Sequence, residues 1–272
     1  MAQHPTHSQA VEALPVTHPE NFPVASWLCP PHLRSAIAAI YAFARAADDI
    51  ADEGIQDAAE RLRQLQNFRR ALMHKETGRD FHPEIFEPLH SVIQDFQLPI
   101  QYLDDLLKAF EQDVASTAQA IQPQSMNDLL KYCALSANPV GRLLLHLYGV
   151  KDEQALQRSD AICSALQLIN FWQDLSEDIP RGRFYVPLDL EKTLNPSLLV
   201  QQLCQHAHEL MMSGAPLVHQ VPGRAGLELR GVVQGGLRVL EKVQKLGPEA
   251  FQKRPTLNAW DAPVLLWRCA WM

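Results

Sequence analysis

The sequence predicts a single all-α domain, and three observations carry that prediction. The first is composition: 12 glycines in 272 residues, with alanine, leucine and glutamine plentiful, a mix that favours helices over sandwiches or barrels. The second is periodicity, because apolar residues recur at helical spacing almost everywhere and are punctuated by Pro and Gly. The third is what is missing: no alternating strand pattern of useful length, no repeat, no low-complexity segment and no linker. Hydrophobic residues make up 47% of the chain, enough for a sizeable core and too many for a disordered chain.

The elements follow in order. Residues 1–20, rich in Pro, Thr, Ser and His, read as a flexible tail, and 21–272 as the folded domain. Helices are expected near 32–52, 56–75, 84–97, 99–118, 125–148, 152–179, 195–213, 224–246 and 256–270. Pro30 and Pro31 give the first a favourable start. Asn138-Pro139 falls inside the fifth and should kink or break it. Pro180 and Gly182 end the sixth.

Charge and cysteine usage exclude several classes. The net charge is −7 and no basic run could track a phosphate backbone, so nucleic acid is not an expected partner. The five cysteines at 29, 133, 163, 204 and 269 contain no CxxC pair and read as small buried hydrophobes of a reduced, cytoplasmic protein. The N-terminus does not have the pattern of a signal peptide, and no apolar run approaches the roughly 20 residues that span a bilayer. Neither GxGxxG nor GxxxxGK occurs. The C-terminal WDAPVLLWRCAWM is apolar but short, with Pro263 and Arg268 inside it; packing on the core and contact with a membrane surface are both open to it.

Chemistry first appears in YAFARAADDIADE. On a helix, Tyr41, Arg45, Asp48 and Asp52 are spaced i, i+4, i+7 and i+11, a polar stripe on an apolar rod. Asp48 and Asp52 lie one turn apart, about 40° in azimuth and about 6 Å along the axis. Like charges at that spacing repel, as does the neighbouring Asp49 and Glu53 pair, so helix formation gives no reason to build them. Taken alone, residues 48–53 could be a solvated helix end, although acidic groups are misplaced at a helix C-terminus.

A second stretch changes that balance. In LQLINFWQDLSEDIPRGRFY, Gln167, Asn170, Asp174 and Asp178 fall at i, i+3, i+7 and i+11, and Asp174 and Asp178 repeat the DxxxD spacing. Four carboxylates converging from two helices would be costly to desolvate unless bridged. Mg²⁺ suits such a set, taking one or two carboxylates per ion and completing its octahedron with phosphate oxygens and water. Arg181, Arg183 and Tyr185 follow directly on a loop, and Arg45 offers a further guanidinium, the group that binds phosphate in a bidentate manner. Ordinary surface charge is the alternative for the two loop arginines.

These motifs, with ENFPVASWLCP, KYCALSANPVGRLLLHLYG and NFWQDLSEDIPRGRFYVP, resemble the squalene and phytoene synthase family of head-to-head prenyl-diphosphate enzymes. The resemblance spans essentially the whole chain after about residue 20, and within the family it is strongest to the bacterial hydroxysqualene synthases of hopanoid biosynthesis. It implies an all-α isoprenoid-synthase helical bundle around a central cavity. It implies that Asp48, Asp52, Asp174 and Asp178 bind Mg²⁺, with Mn²⁺ as a substitute, and that Arg45, Arg183 and Tyr185 contact the diphosphate, with Arg183 rather than Arg181 at the family's arginine position. Tyr41, Gln167 and Asn170 match residues lining the same site. The reaction implied takes presqualene diphosphate, removes diphosphate and lets water quench the rearranged cation; no NADPH is expected. SANPVG departs from the AGxVG pattern of phytoene synthases, which alters cavity shape or polarity unless it is only a packing kink.

A cation so formed needs an apolar, partly aromatic wall, for which Phe22, Phe43, Tyr132, Phe171 and Trp172 are candidates, each with a plain core role as the alternative. Asp104, Asp105 and Asp113, interleaved with Lys108, read as a solvated face, and Glu241-Lys242-Lys245 as surface pairing. His206 and His208 lie on different helix faces and make poor ligands. Beyond the prenyl or presqualene diphosphate substrate, the expected partners are a membrane surface, transiently and peripherally at the inner membrane, and other enzymes of the hopanoid pathway. The competing expectations are a sister activity joining two prenyl diphosphates and a non-catalytic relative that assembles with other proteins or binds lipid.

Overall fold

A computed structural model of the chain describes residues 28–53, 56–74 and 81–272. The expected tail and Phe22 lie outside the described residues. Twelve α-helices and four short 3₁₀ turns make up the described part, with no β-strand among the described residues. No described helix is long and apolar enough to cross a membrane.

Helices α1 (Pro31–Asp52), α2 (Ala58–Met73), α3 (Pro83–Phe96) and α4 (Ile100–Gln119) surround a first core. Its centre is aromatic: Phe43 of α1 lies 6.1 Å from both Phe68 of α2 and Phe86 of α3. All three are essentially fully buried, each contributing roughly 1.5–3 kcal/mol by burial. The caps are written in the sequence. Pro31 opens α1, and the Asp57 side chain accepts the Glu60 amide at 2.9 Å to start α2.

A second core joins α5 (Met126–Ser136), α7 (Glu153–Gln173), α10 (Pro196–Gly214) and α11 (Arg224–Leu246). Helix α7 is its axis, burying Ile162, Ala165, Leu168, Ile169 and Trp172. Gly214 lets α10 approach it closely: a β-carbon there would meet the Arg158 carbonyl oxygen at 2.5 Å. Between the cores runs α6 (Asn138–Leu147), which sends Leu143 and Leu147 into the first.

The fifth expected helix breaks at Asn138-Pro139, one of the two outcomes expected there, because Ala137 takes φ −116° and ψ −47° and Pro139, lacking an amide hydrogen, opens α6. Three differences from the expected helices have physical causes. The sixth is interrupted at Asp174 (φ −101°, ψ 11°), followed by the single turn α8 (Leu175–Asp178) and a 3₁₀ turn at Ile179–Arg181. A six-residue helix, α9 (Leu188–Thr193), is too short for periodicity to reveal. The last element starts late: Asn258 caps a 3₁₀ turn at Ala259–Asp261, and α12 runs only over Ala262–Trp271.

Two charge readings also change. Asp104 is buried rather than solvated, accepting from Arg69 of α2 at 2.7 Å and pairing with Lys108 at 3.0 Å. Lys242 is more than surface decoration: with Arg238 it holds the buried Asp261 ahead of α12. All five cysteines are free.

Candidate active site

The first acidic stripe lies along the last three turns of α1. Tyr41, Arg45 and Asp48 are half-buried and Asp52 is exposed, so the stripe faces away from Phe43 and its core. Arg45 turns along its own helix, reaching Asp48 at 3.0 Å, Asp49 at 2.6 Å and Glu53 at 3.2 Å. Lost hydration, followed by repulsion from Asp52, pushes the Asp48 carboxyl up to about 7 despite Arg45 beside it.

The second stripe follows from α7. Gln167, Asn170 and Asp174 are the half-buried positions on a stretch whose other faces are buried. The break at Asp174 keeps the one-turn relation to Asp178, whose amide donates to the Asp174 carbonyl at 2.8 Å. Asp178 is pushed up to about 6, chiefly by desolvation, with Asp174 and Asp52 adding repulsion. Asp174 itself is ion-paired to Arg254, which also lies 3.6 Å from Glu177. Next to Arg254, the Pro255 carbonyl accepts from the buried Gln173 amide at 2.8 Å. Arg254 is a site residue that the sequence reading missed. It stands eighty positions from Asp174, and only tertiary folding brings the two together.

One guanidinium joins the two stripes. Gly182 takes φ +78°, which glycine alone adopts without strain, and reverses the chain so that the Arg183 amide donates to the Asp178 carbonyl at 3.0 Å. The Arg183 side chain then reaches Asp52 of α1 at 2.9 Å, with Asp178 at 4.0 Å. Arg181 is exposed and Arg183 half-buried, so of the two loop arginines it is Arg183 that bridges the acidic helices.

Aromatic residues stand beside this junction. Tyr185 stacks on Phe171 with centroids 3.8 Å apart and planes 12° from parallel, and Tyr132 lies 5.9 Å from Phe171 and 6.5 Å from Tyr185. Burial, then the facing Asp113 and Asp178 carboxylates, keeps the Tyr185 hydroxyl protonated far above its usual range. Tyr132 donates to Asp113 at 2.6 Å. Asp113 is therefore turned inward from α4 rather than lying on a solvated face. Desolvation pushes its carboxyl up to about 7, with Asp52 and Asp48 adding to the rise. Of the other proposed wall aromatics, Phe43 belongs to the first core, and Trp172 is fully buried in the second with its indole N–H unpartnered.

The donor set suits a hard divalent cation: carboxylate oxygens only, from the two acidic stripes, with the proton affinity of Asp48 and Asp178 raised by desolvation and then by repulsion from neighbouring carboxylates. Among the described residues no three His, Cys, Asp or Glu side chains are grouped closely enough to hold one ion. Arg45, Arg183 and Arg254 each pair with one of these carboxylates, Asp48, Asp52 and Asp174 respectively.

Comparison with known proteins identifies the family. The squalene/phytoene synthase family profile matches residues 16–261. The chain is similar to the hydroxysqualene synthase of Rhodopseudomonas palustris, 33% identical over 247 residues that cover 84% of this chain and 81% of that protein. It is similar to the 15-cis-phytoene synthase of Pantoea ananas at 26% identity, covering 95% of this chain and 89% of the other. The crystal structure of squalene synthase HpnC from Alicyclobacillus acidocaldarius superposes with a TM-score of 0.72 at 31% identity, covering 82% of this chain and 88% of that one. The fold and these similarities together establish that the chain is an enzyme of the squalene/phytoene synthase family.

Proposed function

We propose that this enzyme is a Mg²⁺-dependent hydroxysqualene synthase, converting presqualene diphosphate and water to hydroxysqualene and diphosphate. The observation that carries the reading is the junction itself: two opposed DxxxD faces linked through Arg183, against the Tyr132, Phe171 and Tyr185 cluster. Similarity supports this reaction over its sisters, at 31–36% to three hydroxysqualene synthases against 26–30% to phytoene synthases.

In this reading Asp48, Asp52, Asp174 and Asp178 hold the metal, which when bound neutralises the charge growing on the leaving diphosphate. Arg183 and Arg45 exchange their carboxylate partners for diphosphate oxygens, guanidinium being suited to both. The carbon–oxygen bond breaks with its electron pair going to the diphosphate. Phe171 and Tyr185 present ring faces to the cation left behind, an attraction that adds no nucleophile. The protonated Tyr132 and Tyr185 hydroxyls remain neutral beside it. Water adds to the rearranged cation and loses a proton; Asp113, with its raised affinity for protons, is placed to take it through the Tyr132 hydroxyl. Tyr41, Gln167 and Asn170 line the same two faces.

The test is product analysis by mass spectrometry with purified protein, Mg²⁺ and no NADPH. Presqualene diphosphate should yield hydroxysqualene, and farnesyl diphosphate alone should yield nothing. Conversion of farnesyl diphosphate to presqualene diphosphate would transfer the assignment to the coupling reaction, and longer prenyl diphosphates giving phytoene would transfer it to that sister activity. A chain inert in every tube would revive the non-catalytic reading.

A further inference from the structure

Small polar side chains gather where α5 breaks into α6, beside the aromatic cluster of the site. Ser136 ends α5 and stands one turn from Tyr132, at i+4 and so on the same helix face. Its hydroxyl is buried and faces the Tyr132 hydroxyl without reaching hydrogen-bond geometry, and it makes no hydrogen bond to any described residue. Asn138 opens α6 immediately after the break at Ala137. Its side-chain carbonyl accepts from the buried Ser164 of α7 at 2.8 Å, and its amide nitrogen makes no hydrogen bond among the described residues. Ser164 stands three residues before Gln167 and seven before Phe171, so it continues the site face of α7 about 15 Å along the axis from Asp174.

Packing alone gives no reason for these groups. Buried polar groups are as a rule satisfied by protein or by ordered water, and leaving them without a partner is costly. Ala137, Val140 and Gly141 match the AGxVG pattern of phytoene synthases, and Asn138 takes the place of its first glycine. Glycine there needs no partner, whereas a carboxamide does. Ser164 occupies the Asn138 carbonyl and leaves two N–H donors for another acceptor. The Ser136 hydroxyl is able to accept, and Tyr132, which gives its own hydrogen to Asp113 at 2.6 Å, offers its oxygen lone pairs. One donor facing two acceptors is the complement of a single water molecule, which needs two to four polar partners to be held.

We propose that Ser136 and Asn138, the latter fixed by Ser164, seat the water that captures the cation. The inference rests on the hydroxysqualene reading above. The seated water accepts from the Asn138 Nδ2, donates to the oxygens of Ser136 and Tyr132, and keeps one lone pair free. That lone pair forms the new carbon–oxygen bond. As it does so the water gives one proton to the Tyr132 oxygen, and the proton of Tyr132 passes to Asp113. The charge of the cation thus leaves as a proton, and the alcohol is neutral. Without a held water the same cation discharges by losing a proton from carbon, which gives a hydrocarbon lighter than the alcohol by one water. The seat governs which product forms, after the diphosphate has left.

The test is the ratio of alcohol to hydrocarbon formed from presqualene diphosphate by wild type, Ser136→Ala, Asn138→Gly and the double variant. Diphosphate release is timed in the same samples. Removing one hydrogen bond to the water should lower the ratio roughly tenfold in each single variant, and further in the double, with diphosphate release falling less than the ratio. Ser164→Ala, which does not touch the water, should give a smaller fall by freeing Asn138. Ser136→Ala deletes a single oxygen, so its fold is expected to persist, and circular dichroism verifies it; that variant suffices should Asn138→Gly fail to fold. An unchanged ratio, or alcohol, hydrocarbon and diphosphate release all falling together, would overturn the seat and leave the hydroxysqualene assignment standing. A wild type that makes no hydroxysqualene would overturn both, so the wild-type sample tells the two failures apart.

Discussion

Arg183 lies 2.9 Å from Asp52, a single ion pair that ties the end of the first acidic helix to the loop that follows the second. Without it Asp52 and Asp178, which repel one another, would confront each other across the junction.

Arg183→Ala is expected to lower kcat/KM by about 10²–10³-fold, the usual cost of removing one preorganised donor from developing charge. Circular dichroism should be unchanged. Arg183→Lys should recover only part of the loss, because a point charge replaces a two-pronged donor. Steady-state kinetics on the three proteins checks this; full activity in Arg183→Ala would remove it from the site.

Asp48→Asn and Asp174→Asn, one from each face, should each reduce turnover to below about 1% of wild type. Helical content should persist, since neither side chain belongs to a core. Single-turnover assays with spectra of the same samples distinguish loss of chemistry from loss of fold.

The raised carboxyls predict how the metal-free protein responds to pH. Asp48 and Asp113 are pushed up to about 7 in the folded state, well above the usual carboxylate range near 4. Between roughly pH 4 and 7 the folded chain therefore binds more protons than the unfolded one, and stability falls as pH rises through that window. The melting temperature in chelator should be higher at pH 5.5 than at pH 8. Asp113→Asn, which keeps an acceptor for Tyr132, should reduce that difference. A melting temperature that rises toward pH 8, with no effect of the substitution, would contradict the assignment.

Gly214→Ala tests the packing that positions the second face. Its added methyl would lie 2.5 Å from the Arg158 carbonyl oxygen and 2.7 Å from Ile162. The backbone of α7 cannot step aside freely, so a loss of about 1–3 kcal/mol is expected from denaturant unfolding.

Much of this was legible in the sequence, for reasons that depend on locality. The DxxxD spacings fix carboxylate pairs on helix faces whatever the tertiary structure, and Gly182 next to Arg183 signals a reversal. Arg254 was not legible, because its partner Asp174 is eighty residues away. Asp113 was misread as solvated because its neighbours Asp104, Asp105 and Lys108 share its helix, and only the Tyr132 contact turns it inward. The interruption at Asp174 was hidden too: nothing local breaks the helix there, and the Arg254 and Pro255 segment that grips it comes from the far end of the chain. The orientation of the last helix depends on Lys242, Arg238 and Asp261, which the sequence presents only as surface charge.

The central claim is that both acidic faces together hold a metal-bound diphosphate, and thermal unfolding with Mg²⁺ and inorganic diphosphate tests it most directly. Wild type should gain several degrees when both are present and far less with either alone, as ligand linked to the folded state requires. Asp48→Asn and Asp174→Asn should each lose most of that gain. An equal gain in wild type and both variants, or none in wild type, would contradict the account.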